Sequence, residues 1–151
     1  MKGFVLFLFL GFSSVCTAQF FEKVAWNTGY TYLGRNSVSL GAEYNFPINK
    51  NDWHGFSSGI SGRYFKGENN KHYLIPELGI SYRYFGYLTR INFSTEHFNP
   101  NIGINLLNII WLYTGYSFTF DKTSTNLNGM VFGINFLIGK DEFYDSLKIG
   151  L

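Results

Sequence analysis

Three histidines and ten acidic side chains are the groups in this chain that could do proton chemistry, and their spacing decides what each can do. His97 has the most company: Ser94 precedes it by three residues, Glu96 adjoins it, and Asn99, Asn101 and Asn105 follow. Nucleophilic catalysis needs a hydroxyl within hydrogen-bond reach of a base. Successive side chains of a strand point to opposite faces, so Ser94 and Glu96 are both predicted to turn away from His97. That histidine then reads as a loop or interface residue, and no catalytic residue is expected. His54 and His72 each stand without a second ligand at metal spacing. They read as exposed polar residues, with no metal and no cofactor implied.

A second set of groups shares a face. Glu43, Arg63, Glu77, Arg83, Arg90 and Glu96 all fall at the polar positions of alternating runs, three acids against three arginines. Buried charge is tolerated when it is paired and hydrogen-bonded, and the planar fork of arginine matches a carboxylate. The balance predicts an interior salt-bridge network, with Glu77 and Arg83 a candidate pair from their shared face. Structural filling is the first reading of such a network, and a proton or ion path is the second.

These residues need elements that hold them on one face. From Gly129 to Gly139 every second residue is large and apolar (Met130, Phe132, Ile134, Phe136, Ile138), with Val131, Gly133, Asn135 and Leu137 between. A period of two is a β-strand with unlike faces. The run Ile109 to Phe120 repeats the pattern, setting Phe118 and Phe120 on the apolar face and Trp111 and Tyr113 on the other. Six earlier strands are expected at Trp26–Leu33, Val38–Ile48, Gly55–Phe65, Tyr73–Phe85, Tyr87–Glu96 and a short one at Asn101–Leu106, after a loop at His97–Pro100. Pro76 marks a bulge or strand end within the fourth. Eight strands suit an antiparallel up-and-down barrel, since bacterial membrane barrels need an even number.

The N-terminus bounds the compartment. Lys2, the apolar run Phe4 to Phe12 and the small-residue site Cys16-Thr17-Ala18 form a secretory signal over residues 1–18. A lipoprotein reading through Cys16 meets Val15 where a small residue is wanted. Cleavage after Ala18 removes the only cysteine, and disulfides with it. The chain is 21% aromatic but only 15% charged, with no mature apolar segment of the ~20 residues a membrane helix needs. Membrane strands fit that combination, because lumen-facing and lipid-facing residues average out. A formal charge of +2 gives no basic patch for nucleic acid.

Alternation alone leaves open a soluble lipocalin-like barrel with its apolar face inward. The polar face decides, because its Gly and Ser suit the inside of a narrow tube. Trp26, Tyr32, Tyr44, Tyr64, Tyr82, Tyr84, Tyr87 and Tyr116 sit toward strand ends, as aromatic girdles do. Phe118, Phe120, Phe132, Ile134 and Phe136 are therefore expected to face lipid.

With the signal, the eight alternating runs and the stretch Ile102-Gly103-Ile104-Asn105-Leu106 to Gly115-Tyr116-Ser117-Phe118, the chain resembles the small outer-membrane β-barrel proteins of diderm bacteria. The resemblance implies an all-β, eight-stranded antiparallel transmembrane barrel over residues 19–139, a periplasmic tail over 140–151, location in the outer membrane, and outer-membrane lipid and the barrel assembly machinery as partners. Those barrels commonly end on an aromatic residue of the last strand, whereas here a tail follows Ile138. A narrower likeness is to lipid A deacylase barrels, whose His-x-Ser-Asn motif precedes an Asn-x-Gly-apolar-Asn run. Asn101-Ile102-Gly103-Ile104-Asn105 is similar to the second part, but His97-Phe98-Asn99 lacks the serine of the first.

Overall fold

The computed structural model describes residues 21–46, 54–67, 70–120, 126–140 and 143. The signal segment and all of the tail beyond Lys140 except Phe143 lie outside these, as does part of the last loop. Eight strands follow one another: β1 (Val24–Leu33), β2 (Asn36–Phe46), β3 (His54–Lys66), β4 (His72–Tyr84), β5 (Tyr87–Ser94), β6 (His97–Leu106), β7 (Ile110–Thr119) and β8 (Gly129–Gly139). Each is antiparallel to the next, and β8 returns to β1, pairing Ala25 with Gly139 and Leu33 with Val131. This is the all-β, up-and-down barrel that the period of two predicts. Closure gives every strand two partners and removes the sheet edge that would otherwise template association.

Tight turns join the strands where the residues allow them. Phe85 and Gly86 both take positive φ, as do Leu107 and Asn108. Positive φ at both central residues gives the hairpin turn whose twist matches the flanking strands. The connections after β1, β3, β5 and β7 lie at one end of the barrel, the loop end; the chain ends of β1 and β8 and the other turns lie at the opposite, terminal end.

Two prolines stand inside strands, each where a donor is missing. Pro76 pairs with Gly62 of β3, but the ladder between β4 and β5 begins only at Glu77 opposite Ser94. Pro100 pairs with Ile91 of β5, while the β6–β7 ladder joins His97 and Phe98 to Thr119 and Phe118, then resumes at Asn101 opposite Gly115. The stretch His97–Pro100, expected as a loop, is thus the first part of β6. Proline costs a ladder little where no bond was to be made.

The barrel is apolar outside and polar within. Trp26, Leu40, Ile60, Leu74, Ile102 and Phe132 are among the exposed apolar residues, whereas the interior contains Glu43, Glu77, three arginines, His97 and seven asparagines, all buried. Small apolar clusters close the two ends of this polar interior. Leu127, from the last loop, packs on Phe65 and Ile75 at the loop end, with Tyr73 stacked on Phe65. Phe143, beyond β8, is buried with Ala25, Leu88, Trp111 and Leu137 at the terminal end. Its backbone N–H donates to the Lys140 carbonyl at 3.0 Å.

Candidate functional site

Five of the six charges expected to share a face are buried inside the barrel: Glu43, Arg63, Glu77, Arg83 and Arg90. They form two nodes. In the first, Arg63 grips Glu77 with both prongs of its fork, Nε to Oε1 at 2.5 Å and Nη2 to Oε2 at 2.8 Å. Its third nitrogen, Nη1, donates to Ser37 Oγ, which in turn donates to the Thr31 carbonyl. In the second, Arg90 Nη1 reaches both oxygens of Glu43 at 3.0 and 3.1 Å, and Ser57 Oγ donates to Oε1 at 2.7 Å. Arg90 Nε meets Asn92 Oδ1. Two guanidinium groups pack against Trp111, its ring 5.4 Å from Arg83 Cζ and 5.5 Å from Arg90 Cζ.

Two expectations need correction. Glu77 pairs with Arg63, not Arg83, because register places Glu77 opposite Ser61 and brings the long Arg63 side chain alongside it. Arg83 lies further toward the terminal end, where it donates to Ser57 Oγ and Asn45 Oδ1. Glu96 is not in the lumen. β5 ends at Ser94, so Glu96 stands in the two-residue turn before β6, where its carbonyl accepts from the Phe120 N–H.

The same turn changes the reading of His97. Counted along one unbroken strand, Ser94 and His97 fall on opposite faces. A turn at residues 95 and 96 restarts the alternation, and both side chains point inward. Ser94 Oγ and His97 Nδ1 are 2.9 Å apart, and His97 Nε2 is 3.0 Å from Glu77 Oε1. A hydroxyl, an imidazole and a carboxylate in line invite comparison with a nucleophilic triad, and each is also engaged by its surroundings. The backbone N–H groups of Glu96 and His97, donors of the kind that stabilise an oxyanion, both donate to Ser94 Oγ itself. The Glu77 carboxylate is held by Arg63, and His97 is 0% exposed. The three residues tie the turn to the charged node.

Glycine makes this interior possible. A Cβ at Gly59 would collide with the Glu43 carboxylate, one at Gly79 with the Arg90 guanidinium, and one at Gly133 with the Tyr113 ring. The Tyr113 hydroxyl shares a 2.7 Å hydrogen bond with Thr31 Oγ1 and donates to Asn135 Oδ1. Trp111 and Tyr113 point inward, as alternation requires. The serines and asparagines that complete the network, Ser37, Ser57, Ser81, Asn45 and Asn92, gave no signal of their own beyond their place on the small polar face.

On the outer wall, Phe118, Phe120, Phe132 and Phe136 are exposed and Ile134 is half-buried. Two shallow apolar grooves of about 660 and 1000 Å³ share Trp26, Ala42 and Ile60 on this surface. His54 and His72 also face outward, at opposite ends of the β3–β4 hairpin. His54 Nδ1 shares a hydrogen bond with the Tyr82 hydroxyl and its ring packs on Tyr84; His72 Nδ1 shares one of 2.5 Å with the Tyr64 hydroxyl. Among the described residues no three His, Cys, Asp or Glu side chains gather where they could hold a metal. No family model matches the chain, and no curated protein and no solved structure matches it either.

The first node is open to test by mutation. Glu77→Ala leaves the Arg63 guanidinium buried without its carboxylate and is expected to cost about 3–5 kcal/mol. The double variant Glu77→Ala, Arg63→Met is expected to recover part of that loss, whereas Glu77→Ala, Arg83→Met recovers none. Denaturant unfolding of the purified barrel in detergent measures all three.

Proposed function

We propose that this chain is an integral outer-membrane β-barrel protein with a plugged lumen and a structural or interaction role, not an enzyme. The observation that carries the reading is the reversed polarity: an apolar outer wall around an interior of paired charges. A soluble lipocalin-like barrel has the opposite arrangement, and water-facing walls rarely carry apolar patches beyond a few hundred Å². Two aromatic pairings lend the wall a dimension. From His54, beside Tyr82, to Tyr64, beside His72, β3 runs ten residues. At ~3.3 Å per residue and a tilt of ~40°, this spans roughly 25 Å, the height of the apolar band of an outer-membrane barrel. Between them the outward residues of β3 are Phe56, Ser58, Ile60 and Gly62, none of them charged.

In this reading the wall is solvated by outer-membrane lipid, the barrel assembly machinery inserts the chain, and the signal at residues 1–18 directs it across the inner membrane. Catalysis has no part in it. A lipid in the membrane cannot meet His97, which is buried in the lumen, and Ser94 is engaged by the turn.

Residence in the membrane is tested by extraction and by gel mobility. The mature protein is expected to need detergent and to migrate differently with and without boiling, and Ile134→Arg, at the middle of β8, is expected to destabilise it by about 2–4 kcal/mol. Recovery as a soluble periplasmic monomer overturns the proposal. The plug makes a separate demand: planar bilayers containing the wild-type protein are expected to carry no single-channel current. Incubation with lipid A is expected to release no fatty acid; release that disappears in His97→Ala would establish a hydrolase instead.

A further inference from the structure

Closure leaves one stretch of sheet edge open. The last rung between β4 and β5 joins Glu77 to Ser94, but β4 continues back to His72, and there it is paired with β3 alone. The Gly67 N–H donates to the Lys71 carbonyl at 2.8 Å, and backbone groups on one side of a strand recur at every second residue. Those of Tyr73 and Ile75 therefore face β3 as well, while those of His72, Leu74 and Pro76 face the open side. Pro76 has no N–H, so two donors remain, on His72 and Leu74. Both residues are exposed, Leu74 to 73%, so the barrel does not cover them. An open sheet edge is not tolerated at the level of hydrocarbon unless something satisfies its backbone groups.

The larger of the two outer grooves, about 1000 Å³, ends against this edge. Leu74, Pro76 and Thr95 line it there, with Leu40, Ile60 and Trp26 farther along the wall. The second groove shares Ala42, Ile60 and Trp26 and continues the same trough toward the terminal end. Gly62 and Ala42 keep it open, one without a side chain and the other with only a methyl group. At the loop end Lys66 stands in register with His72 on the same outward face, both exposed. They lie two residues beyond Tyr64 and Leu74, or roughly 7 Å. An apolar trough with N–H donors and a cation at its loop end has the polarity of an acyl chain below a phosphate. A second barrel presents a convex wall and would leave the trough unfilled.

We propose that this trough seats one phosphate-bearing acyl lipid. One acyl chain runs from Leu74 toward Trp26, oxygens of the headgroup region accept from the His72 and Leu74 amides, and the phosphate meets Lys66. The lipid stays with the barrel where the rest of the wall exchanges its lipid freely. This rests on the membrane reading above and adds to it a defined site.

The test is native mass spectrometry of the purified full-length mature barrel, extracted in uncharged detergent. The wild type is expected to carry one phosphate-bearing acyl lipid through purification. Once stripped of lipid it is expected to take up one phosphatidylglycerol, and far less diacylglycerol of the same chain length. Gly62→Phe fills the trough at little cost to the fold, since a Cβ at Gly62 meets only the tip of the Leu74 side chain, at 3.3 Å, and it is expected to abolish both retention and uptake. Ala42→Phe obstructs the trough independently and decides should Gly62→Phe not fold. Lys66→Gln is expected to weaken the uptake of phosphatidylglycerol and to leave that of diacylglycerol unchanged. A wild-type barrel that needs detergent but neither retains nor takes up the lipid overturns this inference alone, whereas a soluble monomer overturns the membrane reading with it. Lipid binding that survives both trough variants, equal uptake of the two lipids, or a dimer in place of the lipid adduct is equally decisive against the site.

Discussion

An eight-stranded tube has room inside for side chains and little else, and the rest of this structure follows from how that fixed volume is filled. Several long inward side chains occupy the place that a neighbour's Cβ would have taken: Glu43 over Gly59, Arg90 over Gly79, Tyr113 over Gly133. The glycines are therefore complements of particular large residues. Their positions are as much a part of the network as the charges, since a methyl group at Gly79 would displace the guanidinium that satisfies Glu43.

Volume alone would accept leucine in place of these pairs, and replacing a buried ion pair by well-packed apolar residues is often neutral or stabilising. A barrel with an apolar outer wall has a reason to keep them. If both faces were apolar, the period of two that fixes strand register would vanish, and a slip by one residue would go uncorrected. Polar residues inside and apolar residues outside make such a slip costly on both faces at once. The bidentate grip of Arg63 on Glu77 joins neighbouring strands β3 and β4, while Arg90 on Glu43 reaches across from β5 to β2. The network thereby couples strands that share no ladder.

The sequence carried this much in plain view. A period of two located all eight strands and separated the faces, because alternation is a property of each strand by itself. Register between strands is not, and there the sequence was silent. The face shared by Glu77 and Arg83 says nothing of which arginine lies within reach; the β3–β4 ladder supplies that, and it brings Arg63. Proline and asparagine made His97–Pro100 look like a loop, but the ladder omits the bond that Pro100 could not make. Parity failed at Ser94 and His97 for the same kind of reason. A two-residue turn between them restarts the alternation, and its limits depend on which backbone groups find partners.

The hydroxyl–imidazole–carboxylate line at Ser94, His97 and Glu77 illustrates why a geometry is read with its surroundings. Catalysis wants an imidazole able to take a proton, donors free to receive developing charge, and access for a substrate. Here the donors are spent on the hydroxyl, the carboxylate is spent on arginine, and apolar side chains lie over both ends of the lumen, Leu127 at one and Phe143 at the other. The arrangement is also a mechanical tie. It fixes the shortest hairpin of the barrel, β5–β6, to the bidentate Arg63–Glu77 ion pair, at the place where β4 rises past β5 without a ladder. A filled and cross-linked interior leaves the outer wall and the two rims as the exposed surfaces of the barrel.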